Sequence, residues 1–524
     1  MNNLAWHIRE LSRLQPDKKA LLVRNRQGSF DAMTFAELDK RSEQLAWGMS
    51  NAGMRPGMKS IFMAKPSLEL YALYFAVLKL GAVPVLLPQW RGWNYALTCI
   101  MQCAPRAFIG TPSSFFKKIF FGRAFSSVDV NIMIGRFQLF GGIPSGKLKT
   151  SQDEYPIHDF GDEEKETIIF SAGSTGAPKG AIQTHDMLER RMTNLKELFP
   201  KQTDAPDMSC QIACTLFELC LGHTMLVAND EPQEILDAAN GMELEYAFAN
   251  TSTWYGIAEL CRRQQARLKG LKEAVILGTP GLSSLSNALL RHALMPETDI
   301  MQTYSTSETG IVSLIKAQDM LEISRNKENL GKGLCLGQPL KSHDLKTIRH
   351  PLENIENLGE DMFQQDDAFG EITTLRNGKS DIYLNRPDES KSSCMECPDG
   401  CRFRTGDLGF IDKEGMLWYM GRIQGIVETA SGKILYPARC EEIANAFPGV
   451  KRSLLVGIGD RPKQIPVLIV EPEAAEYEKL ADNRESLLQH LAAFPQTAEI
   501  KYLLLKHEII DDMEQNTQWA AGRI

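Results

Sequence analysis

Ten residues, Ser171-Ala-Gly-Ser-Thr-Gly-Ala-Pro-Lys-Gly180, concentrate groups suited to holding phosphate. Glycines at 173, 176 and 180 let backbone N–H groups approach an anion with no Cβ in the way. Ser171, Ser174 and Thr175 add hydroxyl donors, and Lys179 adds a positive charge. The pattern is not a Walker loop, because the spacing and the Ser or Thr after the lysine are missing. A flexible Gly/Ser linker has a similar composition. Here, though, the segment follows the apolar run Ile168-Ile-Phe170 and precedes a helix-like stretch. It reads as a phosphate cradle in a strand–loop–helix setting.

Four further segments follow in order: Gly278-Thr-Pro280, Tyr304-Ser-Thr-Ser-Glu308, Arg404-Thr-Gly-Asp407 and Gly421-Arg422. Together with the first they resemble the AMP-forming adenylating superfamily of acyl-CoA synthetases, luciferases and peptide-synthetase adenylation domains. That family carries Thr-Ser-Gly-Ser-Thr-Gly-x-Pro-Lys-Gly and Tyr-Gly-x-Thr-Glu. The resemblance implies ATP as cosubstrate and Mg2+ held by Glu308 and Thr175, a hard cation bridging phosphates through oxygen ligands. It implies ATP contacts from Ser171, Gly173, Ser174, Thr175, Gly176, Lys179, Gly278, Thr279, Pro280, Tyr304, Ser307, Asp407 and Arg422. Tyr304 would stack on adenine, and Asp407 would accept both ribose hydroxyls. Taken alone, Asp407 also reads as a turn residue and Glu308 as a solvated charge. Phe217, in the apolar run 213–222, falls where the family places an acyl-pocket residue, and ordinary core packing explains it equally well.

Within the family, the segments 65–86, 107–112, 383–387 and 421–432 resemble the olefin-biosynthesis branch, the β-lactone synthetases of 2-alkyl-3-hydroxy fatty acids. The implied reaction is adenylation of a carboxylate, then attack by the acid's own β-hydroxyl with loss of AMP. An acyl-CoA or acyl-carrier ligase uses the same adenylate with a thiol in the second step. Assembly with other enzymes of olefin biosynthesis is a further implication. The family's C-terminal adenylating lysine has no counterpart, because Gln518 stands at its position. A neutral amide cannot supply the charge stabilisation of an ammonium. A slow enzyme, a substitute cation such as Arg523, and a nucleotide- or acyl-binding partner without turnover all fit this departure. The family's hinge Asp or Lys is replaced by Gln424.

The elements that position these residues are of α/β type. Thr34 and Glu37 form a capping-box pattern ahead of helical apolar spacing to residue 47. A strand at 60–63, a helix at 68–80, Gly81 at its C-cap and a strand at 83–88 give β-α-β order, as in a mostly parallel sheet. Further strands are expected at 167–170, 246–249 and 274–277. Beyond about residue 340, short strands and turns take over, with a hairpin near Lys413-Glu-Gly415. By the resemblance, this region is a distorted β-barrel-like part. The expected division is a large domain over 1–421 and a small, mobile α+β domain over 422–524.

The 524 residues carry a net charge of −8 with 43% hydrophobic residues. That balance disfavours a general nucleic-acid binder. No apolar run of membrane-spanning length appears and the N-terminus lacks a signal-peptide core, so a cytoplasmic enzyme is expected. Eleven cysteines, an odd number, suggest free thiols. Cys394, Cys397 and Cys401 leave two readings open: a surface insertion with free thiols, or zinc with Cys335 or Cys440 as fourth ligand. The segment 115–125 interleaves phenylalanines with Lys117, Lys118 and Arg123. It reads either as an interfacial helix making peripheral membrane contact or as a buried amphipathic helix whose lysines reach solvent.

Overall fold

The structure, a computed structural model, describes the chain except residues 26, 88–91, 137, 139, 150, 152, 163, 172–177, 279–285, 287–288, 327, 350–361, 365–366, 377–381, 398–399, 474–475 and 508–524. Thr34 accepts from the Glu37 amide and Glu37 answers to the Thr34 amide, so the expected capping box starts helix Phe35–Asn51. Ser67 caps helix Leu68–Lys79. Gly81 follows it at φ +79°, and a Cβ there would meet His158 at 2.4 Å. Only glycine satisfies both demands, which fixes where this helix turns into strand Val83–Leu86.

Two sheets enclose helix Leu68–Lys79. One has seven strands, ordered Ile143–Pro144, Val130–Met133, Ala107–Gly110, Lys59–Met63, Val83–Leu86, Thr167–Ser171, Lys179–Gln183. All its neighbours are parallel except the last pair. The other has nine strands, with Leu244–Asn250, Leu271–Leu277 and Asp299–Thr306 parallel at its centre and antiparallel partners towards both ends. Helix Leu68–Lys79 is buried on every side from Leu70 onward. One apolar cluster runs from Leu21, Phe248 and Val275 of one sheet through this helix to Phe62 and Ile109 of the other.

A third sheet of six antiparallel strands is built mainly on Gly370–Arg376, Gly400–Ile411 and Leu417–Arg422. It is open among the described strands rather than closed into a barrel. The hairpin turn expected near Gly415 joins its two long strands, with Gly415 at φ +78°. Beyond Arg422, strands Val450–Ile458, Ile465–Pro472 and Tyr502–Leu505 form a separate sheet. Helices Pro437–Asn445 and Arg484–Ala492 pack on it around their own core of Ile443, Leu468 and Leu487.

The free-thiol expectation fails at two positions. Strand Cys394–Cys397 lies antiparallel on Gly400–Ile411, which brings Cys394 and Cys401 to a Cα separation of 5.6 Å and joins them in a disulfide. Only Cys397 of the three remains a thiol, so they form no three-thiolate zinc site. Cys335 and Cys440 are buried in other clusters. No helix among the described residues is long and apolar enough to cross a membrane.

Within the central layer, Lys79 is fully buried and donates to Asp39 Oδ1 at 2.5 Å and to the Asp39 carbonyl at 3.1 Å. Burial lowers its pKa against the pull of Asp39. Removing one partner of such a pair strands the other charge. Lys79→Ala should therefore cost about 3 kcal/mol, read as a lower unfolding midpoint in urea.

Candidate active site

The antiparallel strands Thr167–Ser171 and Lys179–Gln183 converge on the loop between them, with Ser171 opposite Lys179. Gly173, Ser174, Thr175 and Gly176 lie outside the described residues, as do Thr279, Pro280, Gln518 and Arg523. The free edge of Lys179–Gln183 is completed by 382–384. Ala181 bridges Tyr383, the Ile182 amide donates to the Ile382 carbonyl, and the Leu384 amide donates to the Gly180 carbonyl.

That edge contact delivers Tyr383, a residue the sequence reading did not single out as part of the site. Its hydroxyl donates to Glu308 Oε1 at 2.7 Å. Lys179 Nζ lies 4.9 Å from the centre of its ring. Tyr383 had entered only as part of the subfamily stretch Tyr-Leu-Asn-Arg-Pro, and no local pattern marks it as a neighbour of Glu308. Burial lowers the Lys179 pKa, while Glu308 and Glu389 hold it up. Glu308 is 8% exposed. The Ser307 carbonyl beside it accepts from Arg191 at 2.5 Å and from Gln183 at 3.2 Å, which fixes the turn that aims Glu308.

A second group forms where the nine-stranded and six-stranded sheets meet. Asp407 is 1% exposed, and its Oδ2 accepts from the Tyr304 hydroxyl at 2.7 Å. Its Oδ1 lies 3.3 Å from Arg422 Nε and has no hydrogen-bond donor among the described residues. Burial raises the Asp407 pKa, with Arg422 and Tyr304 opposing and Glu308 adding to the rise. The loop before it is pinned by Glu371, which accepts from Arg404 at 2.6 and 2.8 Å and from the Gly406 amide at 3.1 Å. Gly406 sits at φ +73°, the left-handed region a glycine adopts without strain.

Tyr304 itself is 1% exposed, packed with Val312, Leu336 and Tyr419. Its hydroxyl serves Asp407. Gly278, after strand Leu271–Leu277, is locked to Ser305 through its amide and carbonyl. Among the described residues nothing lies within 4 Å of its Cβ direction. Phe217, on helix Ile212–Cys220, is buried in the cluster between the two large sheets.

For a divalent cation, Glu308 offers a hard carboxylate whose Oε2 is not engaged by Tyr383. Elsewhere, Asp207, Glu218 and His223 bring three ligand atoms within 4.8 Å of one another. Lys201 already meets Asp207 at 2.8 Å and the His223 ring meets Glu218 at 2.5 Å, so these ligand atoms are engaged with one another and with Lys201.

Residues 8–347 match the model of the AMP-binding enzyme family. An olefin beta-lactone synthetase of Xanthomonas campestris pv. campestris is 28% identical, with 99% of this chain and 97% of that protein aligned. The anthranilate CoA ligase AuaEII in complex with anthranoyl-AMP superposes with TM-score 0.78 at 15% identity, covering 99% of this chain and 97% of that one. The Bacillus subtilis O-succinylbenzoate coenzyme A synthetase with ATP and magnesium ion gives TM-score 0.72 at 18% identity, covering 96% of each chain.

Two outcomes test this geometry. Tyr304→Phe removes the donor to a buried carboxylate oxygen and should cost about 2 kcal/mol of stability, seen as a lower unfolding midpoint. Burial, reinforced by Glu218, pushes the Asp207 carboxyl up to about 7 against Lys201. The folded chain then holds a proton that the unfolded chain releases near pH 4. Stability from this group is complete below that pH and falls as pH rises to about 7. Asp207→Asn should flatten the pH dependence of the thermal midpoint across this window.

Proposed function

Because the chain belongs to the AMP-binding enzyme family, we propose that it uses ATP to activate a fatty, 2-alkyl-3-hydroxy carboxylic acid as acyl-AMP and then closes a β-lactone. In the first step, a carboxylate oxygen bonds to the α-phosphorus as the bond to pyrophosphate breaks. In the second, the β-hydroxyl oxygen attacks the acyl carbonyl, loses its proton, and AMP leaves with the bonding electrons. An internal nucleophile carries a large effective-molarity advantage, which offsets strain in a four-membered ring.

One observation carries the reading. Lys179, Glu308, Asp407 and Arg422 come from four separate motifs, yet they share one electrostatic neighbourhood: Lys179 with Glu308 and Arg422, Asp407 with Glu308 and Arg422. In this reading Ser171, Gly173, Ser174, Thr175, Gly176 and Lys179 hold the phosphates. Gly278, Thr279 and Pro280 flank adenine, and the undonated oxygen of Asp407 accepts a ribose hydroxyl. Tyr304 positions Asp407, Tyr383 positions Glu308, and Phe217 contacts the acyl chain. Glu308 and Thr175 hold Mg2+, which neutralises phosphate charge when bound. The β-lactone outcome draws on the relative named above, and the fatty substrate agrees with the apolar surroundings of Phe217.

The large unit is residues 1–421 and the small unit 422–524, pivoting just after Arg422. Arg461 donates to the carbonyls of Gln424, at 2.6 Å, and Ile426, at 2.8 Å, which holds the pivot in the present arrangement. A hinge needs backbone freedom more than one side chain, so Gln424 is compatible with it. Gln518 favours a second reading, a chain that binds nucleotide or acyl lipid with little turnover.

Mg2+-dependent ATP–pyrophosphate exchange with a panel of 3-hydroxy acids separates these readings. Glu308→Ala should abolish exchange, and Gln518→Lys should raise it by about tenfold or more. Lactone and AMP formed without thiol support closure. A product that requires coenzyme A makes the chain a thioester ligase, and ATP binding with no exchange for any acid supports the second reading.

A further inference from the structure

Thirteen large apolar side chains stand exposed among the described residues, and six of them fall between 116 and 143: Phe116, Ile119, Phe120, Phe121, Phe140 and Ile143. They are a patch rather than a scatter. Helix Pro112–Phe120 places Phe116, Ile119 and Phe120 on one side by their i, i+3, i+4 spacing. Phe116 packs edge-on against Phe120 at 5.1 Å and lies 5.8 Å from Phe140. Phe121 extends the surface to Trp93 at 5.9 Å. Phe120 is 68% exposed and Ile119 is 58% exposed, values that cost solubility unless something covers them.

The charge around the patch is one-sided. Residues 106–143 contain five basic residues, Arg106, Lys117, Lys118, Arg123 and Arg136, and one acidic residue, Asp129, which pairs with Arg106, in a chain whose net charge is −8. Lys118 is turned inward, its ammonium 5.2 Å from the Phe108 ring and its pKa lowered by burial. Lys117 and Arg123 stay exposed, with Lys117 lying 5.3 Å over Trp93. An exposed aromatic ridge edged by cations and a tryptophan matches the interface of an anionic bilayer, where rings enter the acyl boundary and cations meet headgroups. The buried side of the same helix, Phe115, belongs to the cluster of Ile168, Phe170, Ile182 and Leu384. That cluster backs the strand pair leading into residues 172–177.

We propose that the aromatic ridge of helix Pro112–Phe120, with Phe121 and Phe140, docks this protein peripherally on anionic lipid bilayers. The helix lies in the interface plane and does not span it, in keeping with its nine residues. Docking there sets the strand pair that carries Lys179 one packed layer from a membrane.

Co-sedimentation of the full chain with phosphatidylcholine vesicles, with and without phosphatidylglycerol, tests the proposal. The chain should pellet with the anionic vesicles, remain soluble with the neutral ones, and be released by high salt. Phe116→Ser with Phe120→Ser should abolish pelleting. Lys117→Glu with Arg123→Glu should weaken it by roughly twentyfold or more. All four side chains are exposed, and an unchanged thermal midpoint verifies that the variants fold. A wild-type chain that ignores anionic vesicles, or variants that bind as well as wild type, overturns the proposal. So does an oligomer, seen by light scattering, that the serine pair dissolves while vesicle binding is absent, since the ridge is then a protein interface. Pelleting does not depend on turnover, so its failure leaves the adenylation reading intact, and a chain without exchange activity still tests the ridge.

Discussion

The hydrogen bond from Tyr304 to Asp407 joins two sheets that otherwise fold on different principles. Tyr304 sits in a strand of the mostly parallel nine-stranded sheet, and Asp407 in a strand of the antiparallel six-stranded one. A carboxylate this deeply buried is costly unless its oxygens are matched. The Tyr304 bond matches one of them and ties the two sheets together at this point. Glu371 holds the loop that presents Asp407, and Arg422, directly opposite in the ladder, brings the end of strand Leu417–Arg422 to the same point. The geometry around Glu308, Lys179 and Gly278 is arranged about this junction.

Glu308 follows a comparable economy of support. Its orientation comes from Arg191 and Gln183 holding the Ser307 carbonyl and from Tyr383 holding one of its own oxygens. None of these three is near it in sequence. Tyr383 touches both charged groups, its ring lying under the Lys179 ammonium and its hydroxyl donating to Glu308. The Cys394–Cys401 disulfide contributes to the same corner, since Cys401 packs with Ile382, Tyr383 and Phe403.

Local signals made much of the fold readable before any coordinates. The capping box at Thr34, the glycine after helix Leu68–Lys79 and the turn at Gly415 each encode a single conformation in a few neighbouring residues. Lys179, Glu308, Asp407 and Arg422 were reached differently, through a resemblance carried by several motifs together, because Asp407 and Glu308 taken alone also read as a turn residue and a solvated charge. What escaped were long-range partners. Tyr383 acts on Glu308 only because residues 382–384 complete the edge of a distant strand. Tyr304 supports Asp407 only because strand Gly400–Ile411 of another sheet comes to lie beside it. The disulfide was hidden because cysteine spacing does not say which residues a hairpin brings side by side, and spare thiols are the usual inference from an odd number.

The edge pairing of Ala181 with Tyr383 has a consequence for how the chain is made. The strand that carries Lys179 emerges from the ribosome about two hundred residues before the segment that finishes its edge. During synthesis it must wait as an open β-edge, a surface prone to mispairing with other chains. Closing so long a loop is slow. The edge of the strand that carries Lys179 is thus complete only once residues 382–384 have been translated.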